Sequence, residues 1–309
     1  MLKKLILKKR VLAIFGVAIF LIWLFNIQSN IHLVFENKGE LFNTGFRHFE
    51  IVEEDELYVV SQLNLWRRNS GLLQRCINRL SKPKLLLLKV KTKNGFKVAL
   101  SSKGYTSYDL TQGSSTFAIN SSFYERDFSF RGEVIVDGDK KGEASNSSGY
   151  FKVIDDTAIV GPKSLFKNRS GNINYSCQAH PSVMKNGVIW DYILKESKNQ
   201  IFWKQKTYRS LVGVDDKNNI CFLVSGNGGL VSIKEISLIA KKCGIKNATM
   251  LDAGAALQYS IKVGNSEMTF SSWNNLLNLG RTIDKIFRKI VGQRFYSSSP
   301  VFITHSNSF

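Results

Sequence analysis

The sequence predicts a mixed α+β fold, a β-rich core with a few packed helices, preceded by an N-terminal membrane helix. Three observations predict it. A charge-free apolar run follows a basic cluster at the N-terminus. From Leu85 onward, short apolar runs alternate with Asn-Gly, Asp-Gly and Asp-Asp turn signals. Residues 210–251 then read strand, strand, helix, strand.

At the N-terminus, Lys3, Lys4, Lys8, Lys9 and Arg10 precede the apolar run Val11 to Phe25. With Leu5 to Leu7 behind the lysines, the run approaches the ~20 residues needed to span a bilayer. The basic flank is expected to stay cytoplasmic, which exports everything after it. Phe25 to Ser29 lacks the pair of small residues that cleavage needs, favouring an uncleaved signal anchor over a removed signal peptide. The chain therefore divides into a basic flank and single-pass anchor at 1–30, a connector and domain entry at 31–84, and one domain at 85–309. The expected location is membrane-anchored, with the domain on the periplasmic or extracellular side.

The 309 residues are 43% hydrophobic and 22% charged, which is enough apolar material for a packed core. The formal charge of +19 favours anionic partners such as lipid head groups, phosphates or acidic polymers, although a Lys-rich coding bias gives the same excess. No nucleic-acid partner is expected, because the chain has neither zinc-finger spacing nor a basic recognition helix.

Residues 31–57 read as a poorly patterned connector, and Leu72 to Leu80 as a short helix. Leu85 to Thr92 is strand-like and meets Lys93-Asn94-Gly95, a hairpin signal before the strand Phe96 to Leu100. Thr116 to Ile119 is a short strand that ends at Asn120. Hairpin turns are expected at Asp137-Gly138, Asp155-Asp156 and Asn186-Gly187. Ser210 to Val214 and Ile220 to Ser225 are apolar strands, and Ser232 with Glu235 forms a capping box that starts a helix stopped by Gly244. Ala248 to Leu251 is a strand that delivers Asp252. Near the end, 282–291 reads as a basic amphipathic helix packed on its own domain, and Pro300 to Thr304 as a closing strand.

The four cysteines, Cys76, Cys177, Cys221 and Cys243, form no C-x-x-C pair, so no zinc or dithiol site is expected. Export permits disulfides, but Cys221 and Cys243 sit in apolar elements where buried free thiols are the plainer reading. No metal-ligand spacing occurs, and no cofactor is expected. The loop Ser225-Gly-Asn-Gly-Gly-Leu230 before Ser232 reads either as an anion cradle at a helix N-terminus or, more simply, as a strand-to-helix connection.

Five local motifs fall in one order: Ala118-Ile-Asn120-Ser121-Ser122-Phe123-Tyr124, Gly132 to Gly138, Cys177-Gln178-Ala-His180-Pro181 through Gly187, Arg209-Ser210-Leu-Val-Gly213, and Leu251-Asp252-Ala253-Gly254. Together they resemble the phosphodiester glycosidase family over about 85–259. The resemblance implies a phosphodiester-glycosidase-like fold. It also implies hydrolysis of a sugar-1-phosphodiester bond in an envelope or extracellular glycoconjugate, with a phosphorylated glycan or glycolipid as substrate. Two departures stand out: Ser121-Ser122 replace a Gly-Gly pair, and Ala253 replaces the first glycine of Asp-Gly-Gly. They motivate an alternative, a non-catalytic envelope protein of the same fold that binds anionic glycans or lipid head groups.

The chemistry of the bond agrees with the motif residues. Cleaving C1–O builds positive charge on the sugar ring and negative charge on the phosphate, so a cation and a carboxylate are needed on either side. Arg209 offers a planar fork to phosphate oxygens, Asp252 a nucleophile or general base, and Asn120 a hydrogen bond that orients substrate. These three are the expected catalytic residues. Gln178, His180, Gly254 and Ser121 are the expected substrate-binding residues.

Overall fold

The computed structural model describes residues 16–17, 49–65, 84–101, 106–113, 115–125, 127–195, 205–254, 256–272 and 299–306. The anchor (apart from 16–17) and the helices expected at 72–80 and 282–291 lie outside the described residues. Among the described residues, no helix is long and apolar enough to cross a membrane.

The largest sheet has eight strands. They are β1 (Glu50–Glu54), β2 (Tyr58–Asn64), β3 (Lys84–Val90), β11 (Ser182–Lys185), β12 (Val188–Ile189), β13 (Ser210–Asp215), β14 (Ile220–Ser225) and β15 (Ile245–Met250). They lie in the order β1-β2-β3-β14-β13-β15-β11-β12. A second sheet, of five strands, is ordered β7-β6-β10-β8-β9. It comprises β6 (Val134–Val136), β7 (Asp139–Gly142), β8 (Gly149–Ile154), β9 (Thr157–Pro162) and β10 (Ile173–Ala179). The third, also of five, is ordered β17-β16-β5-β18-β4. It comprises β4 (Phe96–Leu100), β5 (Phe117–Asn120), β16 (Gln258–Val263), β17 (Ser266–Ser271) and β18 (Val301–His305). The described helices include α1 (Ser107–Gln112), α2 (Asp191–Leu194) and α3 (Ile233–Lys242). The architecture is the expected one, β-rich with few helices.

The eight-stranded sheet is covered on both faces, which explains its unbroken apolar strands. Leu85 and Leu87 of β3 pack with Leu211, Leu223 and Met250 against Ile233, Ile236 and Ile239 of α3. Leu86 and Leu88 point the other way and join Val212, Phe222 and Val224 against Phe96, Phe117 and Phe151 of the two smaller sheets. The β13–β14 hairpin, α3 and β15 form the expected unit. β13 pairs antiparallel with both β14 and β15, so α3 carries the chain across β13. The Ser232–Glu235 capping box is present in both directions, at 3.2 and 2.7 Å, and Gly244 leaves the helix at φ +83°.

The Asp137-Gly138, Asp155-Asp156 and Asn186-Gly187 turns all have positive φ at both central residues, as tight hairpins require. Asn94-Gly95 is different. It was expected to close a hairpin, but β3 pairs with β2 and β14 while β4 pairs with β18 in another sheet. The left-handed Gly95 (φ +78°) turns the chain from one sheet to the next, and His305 Nε2 holds the corner through a 2.8 Å bond to the Asn94 carbonyl. The connector reading of 31–57 also gives way in part. Glu50–Glu54 is a strand paired with β2, and β2 pairs in register with β3. The alternation in β1 was illegible because its residues are mostly exposed, with no apolar face to mark it. Cys177, Cys221 and Cys243 are free thiols.

Phe96 sits where the sheets meet, with ring centroids 5.7 Å from Phe151, 6.1 Å from Phe117 and 4.6 Å from His305. Phe96→Ala is expected to destabilise the domain by about 3–5 kcal/mol, through lost burial and an unfilled cavity. Urea unfolding measures it, and a loss under ~1 kcal/mol contradicts this view of the core.

Candidate active site

β13 and β15 are neighbouring strands, and the residues at their ends open into one cavity of about 190 Å³. Gln205, Thr207 and Arg209 line it from the segment that enters β13. Leu251, Asp252, Ala253 and Gly254 line it from the segment that leaves β15, and Phe123, His180, Ile233 and Met250 complete it. Of the expected site residues, the fold brings Arg209, Asp252, His180 and Gly254 together here. Asn120, Ser121 and Gln178 stand behind the wall and hold it.

The Asp252 backbone is gripped on three sides. Asn120 Nδ2 donates to its carbonyl at 2.8 Å, Ser210 Oγ donates to the same oxygen at 3.1 Å, and its own N–H donates to the Ser121 carbonyl at 2.7 Å. The other end of the Asn120 amide accepts from Gln258 N–H at 2.9 Å, so both ends of this fully buried side chain serve backbone groups. Gln178 is used in a similar way. Its Nε2 donates to the Ser145 and Ser147 carbonyls at 2.9 and 2.8 Å, and its Oε1 accepts from Glu133 N–H and Ser145 N–H at 3.0 and 2.8 Å. The loop it ties down presents Ser148, whose Oγ meets His180 Nδ1 at 3.3 Å.

Burial sets the charge states. It pushes the Asp252 carboxyl up to about 7, opposed only by the 2.9 Å bond from Ala253 N–H. It lowers the Arg209 guanidinium to about 10, which leaves it charged at neutral pH. It lowers His180 as well, which favours the neutral imidazole. Arg209 is 3% exposed and its backbone is locked to Ser225, N–H to Oγ and carbonyl to N–H, each at 2.8 Å.

The departures at Ser121, Ser122 and Ala253 leave the backbone unstrained, since none of the three has positive φ. Gly254 does, at φ +65°, and this glycine is retained. The Ser225 to Leu230 loop is a strand-to-helix connection. Gly226 and Gly229 donate their N–H groups to Lys84 and Gly226 carbonyls, and a Cβ on Gly229 would stand 2.1 Å from the Lys84 oxygen. Among the described residues, no group of three His, Cys, Asp or Glu side chains is placed to hold a metal ion. Phe123, which stands in the first motif, and Gln205 and Thr207, which stand in none, were not among the expected site residues. The alternation of 205, 207 and 209 along an extended segment was the signal available for two of them.

A half-buried carboxyl and a guanidinium thus line one cavity at the ends of two neighbouring strands. The phosphodiester glycosidase family profile matches residues 113–282, more than half of the chain and all of the motif residues. The chain belongs to the phosphodiester glycosidase family. No curated protein matches it. Among solved structures, it is similar to the catalytic domain of zebrafish N-acetylglucosamine-1-phosphodiester α-N-acetylglucosaminidase, auto-inhibited by its pro-peptide. The TM-score is 0.55 at 10% identity, over 86% of this chain and 89% of that one. A hypothetical protein of Synechocystis aligns with TM-score 0.43 at 12% identity, over 70% and 59% of the two chains. A protein of Burkholderia pseudomallei named as exported aligns with TM-score 0.43 at 10% identity, over 72% and 74%.

Asp252 ionises near pH 3.8 in an unfolded chain but near 7 in the folded one, so the fold loses stability as pH rises from about 4 to 7. Asp252→Asn, which mimics the protonated acid at every pH, is expected to raise stability at pH 8. The gain should be on the order of 2 kcal/mol once the partial exposure of Asp252 is allowed for. The gain should vanish below pH 4. Melting temperatures of both proteins across this range measure it, and an equal difference at every pH speaks against a raised Asp252.

Proposed function

We propose that the protein hydrolyses the bond between a sugar C1 and the phosphate of a phosphodiester, in an envelope or extracellular glycan or glycolipid. The observation that carries this reading is that Asp252 and Arg209 line the same cavity. Water attacks C1, the C1–O bond breaks, and the products are the free sugar and a phosphomonoester. Arg209 holds the phosphate and balances the charge it gains. Asp252 stabilises the sugar cation as nucleophile, or takes the proton of the attacking water as base. His180 contributes a neutral hydrogen-bonding edge to a sugar hydroxyl.

The leaving group explains why one carboxylate suffices. Hydrolysis of ordinary glycosides uses two, because an alkoxide must be protonated as it departs. A phosphomonoester is a far weaker base, with its second ionisation near pH ~6. It leaves without a proton donor if a cation receives it. Among the described residues lining the cavity, Asp252 is the one carboxylate.

Asp252→Asn and Arg209→Ala are each expected to reduce kcat/KM on a sugar-1-phosphodiester by at least ~10²-fold while the proteins remain folded. With Asp252 acting as the ionised group, wild-type kcat/KM should rise as pH increases through about 7 and level off above it. Full turnover in both variants sinks these roles. Salt-sensitive glycan binding with no product under exhaustive assay points instead to the binding protein.

The N-terminal basic cluster and apolar run support a single-pass anchor with the domain exported. The full-length protein should stay with the membrane fraction after a carbonate wash and be degraded by protease added outside the cytoplasmic membrane. Release by the wash contradicts the anchor.

A further inference from the structure

Residues 205 to 209 alternate between two environments. Lys206 points away from the cavity to a nearly buried ion pair with Glu235, at 2.7 Å, and Tyr208 packs its ring on Phe270, with centroids 5.2 Å apart. Gln205, Thr207 and Arg209 face the cavity in order of depth, from exposed through half-buried to buried. The segment is anchored along its length. Thr207 exchanges two backbone hydrogen bonds with Val231, at 3.2 and 3.0 Å, ahead of the Arg209–Ser225 lock.

Alternate residues of an extended chain share one face and stand about 6.6 Å apart. The arginine closes that gap. Its Nη2 donates to the Gln205 carbonyl at 2.9 Å, which draws the guanidinium back along the segment past Thr207. Beside this segment, Gly254 N–H donates to the Tyr208 carbonyl at 2.8 Å, and a Cβ built on Gly254 would stand 3.5 Å from Thr207 Oγ1. The hydroxyl therefore lies close to Gly254, in the cavity that Arg209 and Asp252 also line. An anion entering this space lies on the Thr207–Arg209 side, because the ionised Asp252 repels it from the other.

We infer that Thr207 is a further substrate-binding residue. Its hydroxyl and the Arg209 guanidinium take the two non-bridging oxygens of one phosphodiester, and the Gln205 carbonyl holds the guanidinium at that level. The aglycone leaves the cavity past the exposed Gln205 side chain. That the anion is a sugar-linked phosphodiester rests on the function proposed above. The geometry of the pair as an anion site does not depend on turnover.

The test uses full-length protein in detergent with two measurements. One is the binding of dimethyl phosphate, a phosphodiester without sugar, followed by titration. The other is sugar release from a glycosyl-1-phosphodiester. Thr207→Val keeps the size and the backbone bridge but removes the hydroxyl, and Thr207→Ser restores it. Thr207→Val should weaken dimethyl phosphate binding about 10-fold, the worth of one hydrogen bond to a charged oxygen, and raise KM by a similar factor. Thr207→Ser should stay within about twofold of wild type on both measures. Unchanged binding in Thr207→Val, or no binding by the wild type, overturns the inference. Thr207-dependent binding without sugar release upholds the anion site and defeats the hydrolase reading alone.

Discussion

The carbonyl oxygen of Asp252 is the point at which two sheets are fastened to each other. Asn120 reaches it from the third sheet and Ser210 from the eight-stranded sheet, and the Asp252 N–H returns to Ser121. A carboxyl raised to about 7 by burial is an unfavourable group to hold in place. Three backbone hydrogen bonds around it keep the loop from swinging the carboxyl into water. Loss of the Asn120 amide would leave the Asp252 carbonyl to Ser210 Oγ and take from the buried Gln258 N–H the acceptor it uses.

The cavity follows from that fastening. β13 and β15 end side by side, so Arg209 and Asp252 are neighbours in space although separated in sequence by β14 and the crossover helix. Gly254 then bonds to the Tyr208 carbonyl and ties the two lining segments together. The result sets a guanidinium that is charged at neutral pH in one cavity with a carboxyl whose charge changes near neutral pH. Both groups are desolvated, so each acts on a ligand with less screening than it would in water.

Much of this was legible locally. Three tight turns, the capping box at Ser232, the strand–strand–helix–strand unit and the ordered motifs all rest on neighbouring residues whose chemistry is short-range. The roles of the amides were not. Asn120 and Gln178 were expected to face substrate, because polar residues at strand ends often do. In the fold, both ends of each amide are taken by backbone groups of segments distant in sequence. Asn94-Gly95 has the composition of a hairpin turn yet joins two sheets, because other strands already occupy both edges of β3. Thr207 carried no motif at all, and only its position two residues before Arg209 hinted at a shared face.

By itself, the sequence determined the family, the β-rich class, and the local turns and caps. Those features depend on residue type and on spacing within a few positions. Only the tertiary structure decided which polar residues meet in the cavity and which brace it. That choice depends on strand order and burial, which are set by contacts between residues far apart along the chain.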